Sequence, residues 1–196
     1  MAALRPIDVA ETFRDLPGLA LLESARPGRN ARWTYLTSDP VAVLTEAAPG
    51  GDPFVVARRL LARLAPGTPV GHAGLPASPP FRGGLVGFLA YELVDTLESL
   101  PPPPADDQEL PGLRLALHDW VIAWDRRPGS AWLAGRALDG DGARLGRRLA
   151  DVRDRVRPSR LERAAQRAAF DPGDVGDLDF TSSLDRRAYE AGVEAV

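Results

Sequence analysis

Glu23 and Ser24 stand a few residues ahead of Arg32 and Trp33, and together they offer a carboxylate, a hydroxyl, a guanidinium and an indole. A set of this kind can hold an amino acid. The Glu23 carboxylate would take the ammonium, Arg32 the carboxylate and Trp33 an apolar side chain. The plainer reading is an ordinary hairpin with an exposed ion pair. His118 beside Asp119 has the types for a base and its orienter. Neighbours along a strand point to opposite faces, however, which favours a hydrogen-bonded strand histidine. His72 lies in a different segment, and no metal-ligand spacing such as HxxxH occurs. Gly83-Gly84-Leu85-Val86-Gly87 is loosely like a phosphate loop, but its glycines precede a strand rather than follow one. The alternative is close approach of that backbone to another element. Asp106-Asp107 fall in a proline-rich loop. Glu92 and Glu98 sit beside apolar residues and suit pairing with arginine.

The residue types that are missing narrow the chemistry further. The 196-residue chain has no cysteine, and all 24 of its basic residues are arginine. Thiolate nucleophiles and metal sites, Schiff-base lysines and phosphate-loop lysines are therefore excluded. No serine lies in a G-x-S-x-G elbow. A net charge of -3 with 44% hydrophobic residues is ordinary for a globular domain and speaks against a nucleic-acid-binding module. No apolar run reaches the ~18–20 residues a membrane span needs. The first residues lack the apolar core of a signal peptide, so a cytoplasmic location is expected.

The elements that must position these side chains are mainly antiparallel strands with flanking helices. Residues 19–24 and 32–37 read as a hairpin around the turn 26–30, with a short strand at 41–44. Asp52-Pro53 is a helix start, and apolar residues then recur at helical spacing up to Pro66-Gly67. Residues 85–91 read as a buried strand, with helix as the competitor, 95–100 as a turn of helix and 101–104 as an exposed loop. A strand over 113–125 should return through the turn 126–129 as a strand over 131–138. Residues 144–156 are amphipathic, with Leu145, Leu149, Val152 and Val156 on one face. Residues 157–180 read as a polar linker. Ser182 or Ser183 should cap a helix over 184–196 that carries no stop signal, as in an N-terminal piece of something longer.

Three blocks, in order, resemble the N-terminal region of the chorismate-utilising enzymes, namely anthranilate synthase component I and aminodeoxychorismate synthase component I. The first is Leu21-Leu22-Glu23-Ser24 with Arg32-Trp33 and Asp39-Pro40. The second runs from Phe81-Arg82-Gly83-Gly84 to Tyr91-Glu92-Leu93, then Glu98-Ser99-Leu100-Pro101. The third is Leu117-His118-Asp119-Trp120 with Asp125. The segment 180–196 is similar to the lead-in to the chorismate-binding domain.

The resemblance implies an α+β fold, part of a two-lobed antiparallel β-sandwich with flanking helices. Residues 1–157 would form the N-terminal-type domain, 158–180 a linker and 181–196 the start of the chorismate-binding domain. Asp119-Trp120 and the run 98–101 favour the aminodeoxychorismate branch, with anthranilate synthase component I as the alternative. A free-standing, non-enzymatic small-molecule-binding domain is the third possibility. The parent enzyme would aminate chorismate, using Mg2+ and ammonia from a glutamine amidotransferase subunit, toward p-aminobenzoate and folate. The resemblance places the catalytic residues and the Mg2+ site in the C-terminal domain, so the chain alone is expected to be inactive. It also implies one wall of a tryptophan-type pocket at Glu23, Ser24, Ala31, Arg32 and Trp33. Ala31 stands there for the family's usual serine and Trp33 for its usual phenylalanine, and the larger indole could fill space a ligand needs.

Overall fold

The computed structural model describes residues 5–45, 52–65, 78–93, 110–167 and 182–194, apart from positions 25, 27, 92, 128 and 183. His72, Glu92, Glu98, the helical turn at 95–100, the loop at 101–104 and Asp106-Asp107 lie outside the described residues.

The chain opens with α1 (Pro6–Ala10) and a 3-10 turn (Glu11–Phe13). Next come β1 (Ala20–Leu22), β2 (Trp33–Thr37), β3 (Ala42–Leu44), α2 (Pro53–Ala62) and β4 (Gly84–Leu89). They are followed by β5 (Leu113–His118), β6 (Trp120–Asp125), β7 (Ser130–Gly135), α3 (Gly142–Arg155), α4 (Pro158–Arg167) and α5 (Arg186–Glu194). The strands form two antiparallel sheets, β1-β2-β6-β7 and β3-β5-β4. The fold is α+β, as expected. No helix among the described residues is long and apolar enough to cross a membrane.

Each sheet has its own apolar layer. Leu36, Trp120 and Ile122 of the first sheet pack with Val9, Ala10 and Phe13 from the N-terminal helical turns, and with Val152 and Leu161 from α3 and α4. Leu44 and Leu113 of the second sheet pack on Ala57, with Val56 and Leu60 of α2 alongside. Both layers follow from apolar residues at period two on the strands and at helical spacing on the covering helices.

The expected strand over 113–125 is two strands in two different sheets. Leu113–His118 pairs with β3 and β4, whereas Trp120–Asp125 pairs with β2 and β7. The chain changes sheets at Asp119. A single two-faced strand alternates, but Leu117, His118, Asp119 and Trp120 are all buried in succession. A bend at Asp119 is what allows that. The crossing needs backbone to come close from two sides. A Cβ on Gly83 would lie 2.9 Å from the His118 carbonyl oxygen, and φ there is +126°. A Cβ on Gly135 would lie 2.8 Å from the Asp119 carbonyl oxygen. The glycines ahead of β4 thus serve close packing, and the Gly83 carbonyl accepts from Arg136 Nη1 at 3.3 Å.

α2 starts as expected: the Asp52 carboxylate accepts from the amides of Phe54 (2.7 Å) and Val55 (3.3 Å), with Pro53 in the first turn. Replacing Asp52 by alanine is expected to cost about 1 kcal/mol, readable as a lower urea midpoint with an unchanged slope. The helix ends at Ala62, short of Pro66-Gly67, because Leu64 bridges to Leu138 and the Ala65 amide donates to Ala137 at 2.8 Å. Pairing with a distant segment takes over there from helix propagation.

The first part of the stretch expected to be linker is α4, on which Leu161 and Ala164 are buried. Its apolar stripe is only one residue wide, so the composition reads as polar. The cap of α5 is Asp185, whose carboxylate accepts from the Ala188 amide at 2.8 Å. Among the described residues Ser182 bonds only to the backbone of Leu184, and none of the residues of α5 is buried.

Candidate functional site

The hairpin β1–β2 brings the five expected pocket residues to one end of the first sheet. Ala20 pairs with Thr37 and Leu22 with Tyr35, so the chain leaves β1 through Glu23 and Ser24 and re-enters at Ala31, Arg32 and Trp33. Glu23 and Ser24 are exposed, Ala31 is buried, and Arg32 and Trp33 are half-buried.

Arg32 is engaged inside the protein. Its Nε lies 3.0 and 3.1 Å from the two Asp125 oxygens, and its Nη2 lies 2.6 Å from Oδ2. Asp125 is 1% exposed and also accepts from the Arg127 amide at 3.1 Å. The Arg32 hydrogen bonds hold the Asp125 carboxyl below the usual carboxylate range, against the opposing effect of burial. The same pair raises the Arg32 guanidinium. A two-pronged clamp on a buried carboxylate is among the stronger polar contacts a protein makes. A ligand carboxylate at Arg32 would have to compete with it.

Glu23 is held more loosely. Its Oε1 lies 2.9 Å from Arg126 Nη2, and the two side chains are 38% and 32% exposed. Water screens such a pair, so it opens at little cost.

The apolar part of the site is a file of rings. The Arg32 guanidinium carbon lies 5.1 Å from the centre of the Trp33 ring. Trp33 lies nearly parallel to Tyr35, with ring centres 6.2 Å apart and planes at 11°. Tyr35 meets Phe81 edge-on at 5.6 Å. Phe81 precedes β4, so the file links the first sheet to the approach of the second. Burial raises the Tyr35 hydroxyl above its ordinary value, with the Phe81 backbone acting in the opposite direction.

His118 and Asp119 do not form a base and its orienter. Asp119 Oδ1 lies 2.7 Å from Arg148 Nε, and Arg148 Nη1 lies 2.9 Å from Asp39 Oδ2. Arg148 Nη2 also donates to the Asp39 carbonyl. His118 is 1% exposed, and its Nδ1 has no hydrogen-bond partner among the described residues. Burial pushes the imidazole down to about 4, helped by the positive charge of Arg148. The Ser38 backbone and Asp39 act in the opposite direction. This histidine is neutral at physiological pH. The cluster ties α3 to the point where the chain changes sheets.

Sequence reasoning did not find Arg126, Asp125 as the partner of Arg32, or Arg148. Arg148 carried a signal, since it falls between Leu145, Leu149 and Val152 on the apolar face of its helix, where a charge needs a buried partner. The partners of Glu23 and Arg32 lie far away in sequence and left no local trace. Among the described residues no three His, Asp or Glu side chains converge.

No protein-family model matches the chain. Over 141 residues it is 36% identical to anthranilate synthase component 1 of Mycobacterium tuberculosis, covering 64% of this chain and 27% of the relative. Over 175 residues it is 31% identical to anthranilate synthase component 1 of Streptomyces coelicolor, covering 84% of this chain and 31% of the relative. It thus spans about a third of these relatives' length or less. The structure of anthranilate synthase component I from Streptococcus pneumoniae shares the fold, with a TM-score of 0.56 and 18% identity over 99% of this chain and 42% of that one. These relatives carry the name of the branch held above as the alternative. In sequence and in fold, the chain belongs with the chorismate-utilising enzymes through their anthranilate synthase component I members.

Proposed function

We propose that this chain is part of an anthranilate synthase component I-type enzyme, acting on chorismate with ammonia from a glutamine amidotransferase subunit. The observation that carries the branch is the 36% identity to anthranilate synthase component 1. The residues 1–157 supply scaffold and one wall of an amino-acid pocket, and the reaction is done elsewhere in the enzyme. Mg2+, where it is bound, supplies charge neutralisation for the carboxylate beside the leaving hydroxyl.

The pocket wall works through the loosest contact at the site. A free amino acid enters between Glu23 and Arg126, its ammonium on the carboxylate and its carboxylate on the guanidinium. Arg32 stays on Asp125 and holds Trp33 in place. Ser24 and Ala31 border the same opening, and the indole of Trp33 limits the size of ligand side chain. Tryptophan is the ligand this reading names.

The test is complementation by the whole reading frame that encodes this chain. Growth of a tryptophan auxotroph lacking anthranilate synthase component I is expected. Rescue only of a p-aminobenzoate auxotroph would move the assignment to the aminodeoxychorismate branch. The purified residues 1–196, given chorismate, Mg2+ and ammonium, are expected to form no product. Turnover by that chain would overturn the division of labour.

A further inference from the structure

The helices α3 and α4 carry a charge balance unlike the rest of the chain. Between Gly142 and Arg167 there are nine arginines and three acidic residues, a local net of +6 in a chain whose total is -3. The inner side of this pair is used by the fold. Val152, Leu161 and Ala164 are buried, and Arg148 is taken by Asp119 and Asp39. Arg155 lies 5.8 Å from the centre of the Phe13 ring and pairs with Asp15 at 2.7 Å.

Among the described residues the outer side carries more guanidiniums than carboxylates. Arg147, Arg153, Arg157 and Arg160 are exposed. Arg157 and Arg160 both lean on Asp154, at 3.1 and 2.7 Å, so one carboxylate serves two guanidiniums. Arg147 and Arg153 have no ion-pair partner among the described residues. The ridge continues into a cleft of about 430 Å³ between these helices and the first helical turns, lined by Arg14, Arg155, Arg160 and Arg163 with Glu11 and Asp15.

Like charges crowded on one face repel one another, and an opposing acidic surface relieves that repulsion while steering encounter. Guanidinium forks match carboxylates in pairs, and Arg155 and Arg160 already bind carboxylates here. Nucleic acid fits less well. The segment 142–167 has no aromatic residue for base stacking, and Asp151, Asp154 and Glu162 stand among the arginines, where they would oppose a phosphate backbone. We propose that the α3–α4 ridge is a docking surface for a protein partner with an acidic face.

The test is a binding titration of the 196-residue chain with poly-L-glutamate across a series of salt concentrations. The exposed pair Arg147→Glu/Arg153→Glu is compared with a charge-matched control, Arg59→Glu/Arg114→Glu, at exposed positions of α2 and β5. Binding that weakens with salt is expected, reduced roughly tenfold or more by the ridge variant and about twofold or less by the control. The neutral pair Arg147→Gln/Arg153→Gln should fall between wild type and reversal, and it disturbs the fold less. The proposal is overturned by no binding, by equal losses in ridge variant and control, or by tighter binding of a thymidine oligonucleotide of equal charge.

Discussion

Replacing Trp120 by alanine is expected to destabilise the chain by about 3–5 kcal/mol, the largest loss for any one side chain considered. Trp120 is 1% exposed at the centre of the layer formed by Val9, Phe13, Leu36, Val152 and Leu161. Its ring lies 5.3 Å from that of Phe13, tilted by 35°. The indole also walls a cleft of about 240 Å³ together with Phe13, Leu16 and Arg148. Truncation would merge the vacated volume with this cleft, and neighbours anchored by backbone pairing cannot close it. The Trp120 carbonyl accepts from Thr37 Oγ1 at 2.7 Å, which pins the backbone beneath the lost ring. A domain with a typical total of about 5–15 kcal/mol would keep only part of its stability. Urea unfolding of Trp120→Ala beside Trp120→Phe measures this. The phenylalanine variant should lie between, and a loss below about 1 kcal/mol for alanine would show that the layer collapses freely.

Stability is expected to fall as the pH drops from 6.5 to about 4, and His118 is the cause. In the unfolded chain the imidazole titrates at its ordinary 6.5, whereas in the fold burial holds it at about 4. Above 6.5 it is neutral in both states and the fold keeps its full stability. Between the two values the unfolded chain binds a proton that the folded chain refuses, so each step down in pH favours unfolding. The whole window is worth on the order of 3 kcal/mol. The carboxyl groups act lower. Asp125, Asp139 and Asp8 are held below their ordinary 3.8 by their arginine partners, so their contributions are lost as pH falls below that value. Urea midpoints at pH 7.5, 6, 5 and 4.5 should decline for the wild type and stay nearly level for His118→Asn. An equal decline in both would assign the effect to another group.

Much of the fold was legible in local patterns. Asp52-Pro53 announced α2, the period of Leu145, Leu149 and Val152 announced α3, and the aromatic and β-branched run at 32–37 announced β2. The sheet change at Asp119 was not legible, because the alternation of Leu113, Leu115 and Leu117 runs into a second apolar run without a break. Only packing against Gly83 and Gly135 separates the two. α4 was missed for a related reason: its buried face is Leu161 and Ala164, too narrow to register beside its arginines. At the candidate site the hairpin that carries the five expected residues was readable. The roles of their charges were not, since Asp125 takes Arg32 from 93 residues away and Arg126 takes Glu23 from 103. Asp119-Trp120, which favoured the aminodeoxychorismate reading, marks the crossing between sheets, while the relatives reported above are named anthranilate synthase component 1.

The strand pair that crosses at Asp119 also governs the order in which the chain can fold during synthesis. β2 has β6 as its inner neighbour, and β3 and β4 both have β5. All three wait on the segment from Leu113 to Asp125, which is made after each of them. Until then the β1–β2 hairpin, α1 beside it and α2 beside β4 have partners nearby in sequence. When the crossing segment emerges, both sheets close on it together. The nascent chain therefore carries open strand edges until that segment emerges, a stage at which unpaired edges invite aggregation and chaperones act.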